Sequence, residues 1–418
     1  MQKKLIALAI AGVAASTTAH AFDFTVGDAN LSIYGVLDGS VYSLKSPAAP
    51  AGQSSTSWGI ASNNMQTSRL GFGANTDIGS GWKITGNLEQ EISISTGGQG
   101  DGSTVATPTA EGNGGGTYNR AANIGFASDS YGEIKLGRQM VPSLLTAIQL
   151  DALGSQSGGY ANAWVYSQLV NGILITGTGA LNGGLATNQS FNGGADAPNL
   201  FVAGLSYVSP VFNNIQVRFL QTFGSNNSPV SGNAGQSITD SGITDFSIRY
   251  DNGALSLNLA DQAVKVGNGV AGTYTGSLEN NLQLGGSYKF NNTKLTLSYA
   301  DISFANGYKA ALAGLANSSA PDDVQIWSLG GTQQVDKMKY GVSYTNIKDK
   351  DNSASGVTEW AGLADYTLNK QADIYAQVTS AKNKGASQYA GVYGAIIPTM
   401  GTNSGTVNAI VVGARYKF

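Results

Sequence analysis

From Leu31 to Tyr42 the apolar residues Leu31, Ile33, Leu37 and Val41 take odd positions, while the even positions include Ser32, Asp38 and Ser40. A period of two is that of a β-strand with one apolar and one polar face. The pattern returns along the chain. Leu70, Phe72 and Ala74 oppose Arg69, and Trp82, Ile84, Leu88, Ile92 and Ile94 oppose Lys83, Thr85, Asn87, Glu89 and Glu91. Ile215, Val217 and Phe219 oppose Gln216 and Arg218, and Phe246, Ile248 and Tyr250 oppose Asp245, Ser247 and Arg249. Leu255 to Leu259, Leu295 to Tyr299 and Ile410 to Phe418 repeat it. A helical spacing is confined to Pro142 to Gly154, where Leu144, Leu145 and Ile148 fall on one side and predict a short helix packed on the wall through them.

The connections distinguish a barrel from a soluble sandwich. Tight turn signals such as Ser128 to Gly132, Asp251-Asn252-Gly253 and Asn291-Asn292-Thr293 alternate with long Gly/Ser/Asn/Ala segments near 45–66, 95–117, 139–198, 224–242, 263–278, 301–322, 348–356 and 380–405. Seven short and eight long connections predict an all-β fold, a transmembrane antiparallel barrel of 16 strands with short periplasmic turns and long extracellular loops. Closure is required because an unpaired backbone group in hydrocarbon costs several kcal/mol. The last strand must then pair with the first, with Phe418 in the lower aromatic belt beside Trp82, Tyr250, Phe290 and Tyr366.

Composition agrees, with 57 glycines, 19 tyrosines and 12% charged residues. The opening MQKKLIALAIAGVAASTTAHA reads as a signal peptide over 1–21, leaving 22–418 as a single barrel domain. Its removal leaves 21 basic and 26 acidic residues, a formal net of −5, and no histidine. With no cysteine either, disulfides, thiol chemistry and Cys or His metal sites are excluded, and neither a cofactor nor a metal is expected. The acidic balance argues against nucleic acid.

A lipid-facing Arg or Lys near the midplane costs about 2–4 kcal/mol. Charges at the polar parity are therefore expected to line the pore: Arg69, Asp38, Lys83, Glu89, Glu91, Arg218 and Arg249. Arg120 and Arg138 share the parity of Ile124 and Ile134, nominally outward. They must lie where the chain leaves the wall, and on that condition Arg138 joins the pore-lining set.

The stretches Ile33-Tyr34-Gly35-Val36-Leu37-Asp38, Ser68-Arg69-Leu70-Gly71-Phe72, Arg120 through Gln139, Ser206-Tyr207-Val208-Ser209-Pro210 and Arg249 to Gly253, with the terminal aromatic, resemble in that order the trimeric general porins of Gram-negative outer membranes. The resemblance implies a homotrimer embedded in outer-membrane lipid, passing ions and small hydrophilic solutes without catalysis. It implies that the third long loop, here 139–198, folds into the lumen as a constriction, with basic wall residues facing acidic loop residues. Arg69 is thereby expected to face Asp151, with Asp196 the loop's other acid; Asn199 stands about where these porins often carry an arginine. Phe418 would be an assembly signal.

Ile173 to Gly183 nearly spells a dinucleotide fingerprint, but Asn182 replaces the third glycine and a loop insertion is the simpler reading. Gly97 to Asp101 resembles half a calcium repeat without repeating, and Asp349 with Asp351 are better read as a solvated loop tip than a cation site. Tyr160, Trp164 and Tyr166 would line a sugar- or organic-acid-specific channel, or simply pack the inserted loop. A barrel enzyme would need a base the mature chain lacks, and an adhesin would need a plugged lumen.

Overall fold

The alternating segments form strands, and the strands close on themselves. The computed structural model describes residues 22–47, 54–98, 117–165, 167, 200–222, 242–270, 274–313, 322–385, 387, 389, 391 and 404–418. The expected signal peptide, Asp196, Asn199, Tyr166 and the 173–183 stretch lie outside the described residues. In chain order the strands are β1 Phe22–Val26, β2 Ala29–Lys45, β3 Thr56–Ser62, β4 Arg69–Gly79, β5 Trp82–Glu91, β6 Ala121–Ser128, β7 Gly132–Met140, β8 Phe201–Val208 and β9 Ile215–Gln221. They continue as β10 Gly242–Asp251, β11 Leu255–Val270, β12 Tyr274–Phe290, β13 Thr293–Phe304, β14 Val324–Val335, β15 Met338–Asp349, β16 Gly356–Thr367, β17 Ala372–Lys384 and β18 Gly405–Lys417.

Antiparallel pairing runs from β2 to β4, then strand by strand through β9–β10 to β17–β18, and returns from β18 to β2. Eighteen segments fill sixteen wall positions because two positions are composite. β3 and β4 share one flank of β2, on Gly39–Lys45 and Ala29–Val36. On the other flank β1 continues the line of β18, with Phe22 opposite Ile33. The break between β3 and β4 comes where Asp38 accepts the N–H groups of Met65 and Gln66 and draws that turn inside.

Phe418 closes the wall as expected: its N–H donates to Gly35 O at 3.0 Å and its carbonyl accepts from Gly35 N at 2.8 Å. Deleting Phe418 unpairs both Gly35 groups at the membrane boundary, where each such group in hydrocarbon costs several kcal/mol. The amount of folded, heat-modifiable barrel in the outer membrane should fall several-fold.

Ile410, Val412, Leu297, Val342 and Ile374 stand on the outer skin, 46–59% exposed, as lipid contact demands. Aromatic pairs edge this band: Trp82 on Tyr131 at 5.7 Å and Tyr416 on Phe418 at 6.0 Å beside the short turns, and Tyr344 between Trp327 and Trp360 at 5.0 and 4.8 Å farther up. One expected loop is different. β11 runs on to Val270 and β12 begins at Tyr274, with these two residues opposite each other, because ladder pairing continues past the shifts after Val264 and Val266.

The chain after β7 turns into the barrel and forms α1, Pro142–Leu150; a second short helix, α2, is Asn306–Ala313. The inserted segment packs Leu144, Ala147, Leu150, Tyr160 and Trp164 against inward residues such as Val202, Leu220, Ile243 and Ile302. The packing stripe of α1 is thus Leu144–Ala147–Leu150. The expected stripe of Leu144, Leu145 and Ile148 is wrong by part of a turn, and Ile148 is left 37% exposed.

Candidate functional site: the lumen eyelet

Polar hydrogen bonds pin the inserted loop to one side of the lumen. At the start of α1, Asp245 on β10 accepts from Ser143 N at 3.1 Å and from Ser143 Oγ, which places a carboxylate at a helix N-terminus. Gln283 Nε2 donates to Ser143 O at 3.0 Å, Ser298 Oγ donates to Leu150 O, and Trp164 Nε1 donates to Asn281 Oδ1 at 3.0 Å. On the far side Gln156 N and Ser157 N donate to Asn64 O at 3.1 and 3.0 Å. The loop therefore covers the wall from β8 round to β17 and leaves the passage against β4 to β7.

That side holds a cavity lined by Glu91, Arg120 and Arg138 of the wall and by Ile148 and Asn162 of the loop, and Gln156 Nε2 bridges loop and wall by donating to Thr67 Oγ1 at 2.6 Å. Arg120 Nε donates to Glu89 Oε1 at 2.6 Å, and its guanidinium lies 4.5 Å above the Phe201 ring. Arg69 meets the same Glu89 at 3.6 Å, and Tyr34 Oη donates to Glu89 Oε2 at 2.9 Å. Arg138 Nε donates to Asn119 O, and Glu91 accepts from Asn63 Nδ2 at 2.7 Å. Three guanidiniums and two carboxylates thus share one wall.

Arg120 and Arg138 reach the cavity although their parity points outward. Arg120 immediately precedes β6, outside its regular register: its N–H donates at 3.1 Å to the carbonyl of Glu89, the residue paired with Ala121. Arg138 follows Gly137, whose φ of +120° is a conformation L-residues rarely adopt, and parity stops governing side chains there.

The remaining expected residues divide between places. Arg218 and Arg249 stand on the polar faces of β9 and β10 near the short turns, with Arg218 bound to Gln216 and Arg249 to Asp251. Lys83, the second residue of β5, also belongs to this lower end. Asp38 faces inward but is fully covered, taken up by Met65 N, Gln66 N and the Tyr375 hydroxyl at 2.5 Å.

Asp151, expected to face Arg69 across the pore, is instead buried inside the loop. It is 3% exposed and accepts from Leu153 N, Gly154 N and Ala161 N at 2.8 to 2.9 Å. A carboxylate whose capacity is spent holding its own loop does not face Arg69, and Arg69 finds its counter-charge on the next strand instead. Sequence reading missed Asn162, Tyr34 and the anchor Asp245; Tyr34 and Asp245 had a signal, their polar parity. Asp349 and Asp351 serve backbone groups and Lys309: Asp349 accepts from Asp351 N and Asn352 N, and Asp351 from Asp323 N.

A closed sixteen-position barrel with an apolar skin, a polar lumen and a loop laid across it is an outer-membrane diffusion channel. The sequence description of Gram-negative porins matches residues 5–386. Outer membrane porin protein 32 of Delftia acidovorans is 27% identical over 434 residues, covering all of both chains. The solved anion-selective porin from Comamonas acidovorans superposes with a TM-score of 0.65 at 20% identity, over 93% of this chain and 100% of that one. The trimer form of OmpT from Vibrio cholerae does so with 0.56 at 16% identity, over 94% and 100%. The chain belongs to the Gram-negative porin family and is a passive channel of the outer membrane.

Proposed function

We propose that this porin prefers anions, works as a homotrimer and does no catalysis, with Arg69, Arg120 and Arg138 as the residues that set the sign. The observation that carries this is the charge count at the eyelet. Arg69, Arg120 and Arg138 outnumber Glu89 and Glu91 by one, and the only acid among the described residues of the inserted loop, Asp151, is buried. No acidic face opposes the wall there, so the potential in the passage is positive. The anion selectivity of the Comamonas porin and the trimer form of the Vibrio protein accord with it.

The sugar-specific alternative has less support, because Tyr160 and Trp164 are buried and spend their polar atoms on Gln283, Tyr299 O and Asn281. Small inorganic and organic anions are the solute class. Purified protein in planar bilayers under a potassium chloride gradient should give a reversal potential of the chloride-selective sign, with openings in groups of three. A potassium-selective sign overturns the preference, and single unit steps overturn the trimer.

A further inference from the structure

Beyond β17, Tyr389 also lies inside the lumen. Asn383, on the inward face of β17, holds Tyr389 by both backbone groups: Tyr389 N donates to Asn383 Oδ1 at 2.7 Å and Asn383 Nδ2 donates to Tyr389 O at 2.9 Å. Tyr389 is 1% exposed and lies in the same apolar cluster as Trp164 of the inserted loop. Two residues on, Gly391 has a φ of +69°, and a Cβ there would stand 2.3 Å from Glu359 Oε1. That positive φ favours glycine.

The phenol meets the eyelet. Tyr389 Oη donates to Asn162 Oδ1 at 2.7 Å, with Glu359 Oε2 a second acceptor 3.2 Å away. Glu359 Oε2 in turn accepts from Gly159 N at 3.1 Å, so the same group touches the backbone three residues before Asn162. Asn162 lines the passage opposite Arg120 and Arg138. Its Nδ2 donates to Gln156 O at 2.7 Å, and a backbone carbonyl can only accept, so the orientation of the amide is settled by its partners. With Oδ1 held by the phenol and one amide hydrogen on Gln156, the donor that Asn162 has left is its second N–H.

We propose that Tyr389 is a specificity-determining residue: by occupying Asn162 Oδ1 it keeps the loop side of the eyelet a hydrogen-bond donor. Passing anions then meet guanidiniums on one side and an amide N–H on the other. Without the hydroxyl, Asn162 Oδ1 is left an open acceptor beside the passage and offers cations a ligand. This extends, and rests on, the anion preference proposed above; it adds a residue from a loop that does not line the wall.

Tyr389→Phe removes only the hydroxyl. In planar bilayers under a salt gradient, the chloride-to-potassium permeability ratio should fall about two- to fivefold, the equivalent of one neutral hydrogen bond, with single-channel conductance little changed. Asn162→Ala, which leaves Tyr389 in place, should lower the ratio similarly, and the double variant should add little because both act through one contact. A loop that is merely loosened would show noisier currents at an unchanged ratio. An unchanged ratio in Tyr389→Phe or in Asn162→Ala, with the shift from Arg120→Gln and Arg138→Gln intact, overturns the role of Tyr389 and leaves the anion preference standing. A wild-type channel of potassium-selective sign overturns both.

Discussion

Replacing Arg120 and Arg138 together by glutamine should carry the reversal potential of this porin across zero, from the anion to the cation side. The wild-type eyelet has three guanidiniums against Glu89 and Glu91, and the double variant keeps Arg69 alone, so the local sum changes from +1 to −1. At about 6 Å in water-like dielectric one unit charge is worth about 0.7 kcal/mol to a passing ion, and screening at ~0.1 M salt removes roughly half. Two lost charges act with opposite signs on anion and cation. The permeability ratio should therefore shift by roughly 1.4 kcal/mol, about tenfold. Glu89 keeps its contacts with Arg69 and Tyr34, so the wall retains its packing. A ratio that moves less than about twofold would place the narrowest charged point elsewhere, the basic pair Arg218 and Arg249 being the next to test.

Gly137→Ala should be the most damaging single substitution at the site. Gly137 has a φ of +120°, and an added Cβ would lie 2.3 Å from Ala122 O and 2.9 Å from Asn123 Cα, both backbone atoms of the paired strand β6. Relief requires β6 and β7 to separate or Gly137 to rotate, and either breaks the pairing of Ala122 with Arg138. Backbone strain of this kind costs about 1–3 kcal/mol before any clash is counted. The urea midpoint of the folded barrel should fall, and in the surviving fraction the loss of Arg138 from the passage should lower the anion preference. A variant with wild-type midpoint and wild-type reversal potential would show that the strand absorbs the methyl group and that Gly137 does not aim Arg138.

Both expectations depend on residues whose direction strand parity misstates, and this marks the limit of what was legible. Alternation is a local property, two residues per repeat, and it survives folding because each strand must show lipid one face and water the other. Leu31, Ile33, Leu297 and Ile410 therefore announced the wall, and the turn signals announced its sixteen positions. The same rule carried Arg69, Glu89 and Glu91 to the inner face. It failed at Arg120 just ahead of β6, at Arg138, which stays paired with Ala122 and Ala203 but follows the positive-φ Gly137, and in α1, where the packing stripe is one residue away from the expected one.

Sequence by itself determined that this chain is an exported, cysteine-free set of amphipathic strands that must close, with Phe418 pairing back onto the first of them. Which lumen charges confront a solute was decided only by tertiary structure. Asp151 was read as the acid opposing Arg69, yet it is consumed by its own loop's N–H groups, and Arg69 and Arg120 share Glu89 on their own wall. Asn162 receives the hydroxyl of Tyr389 from 227 residues away. The physical reason is range. The in-and-out choice is settled between nearest neighbours and the membrane, whereas a hydrogen bond across the lumen exists only after the wall has closed and the loop has chosen which side of it to cover.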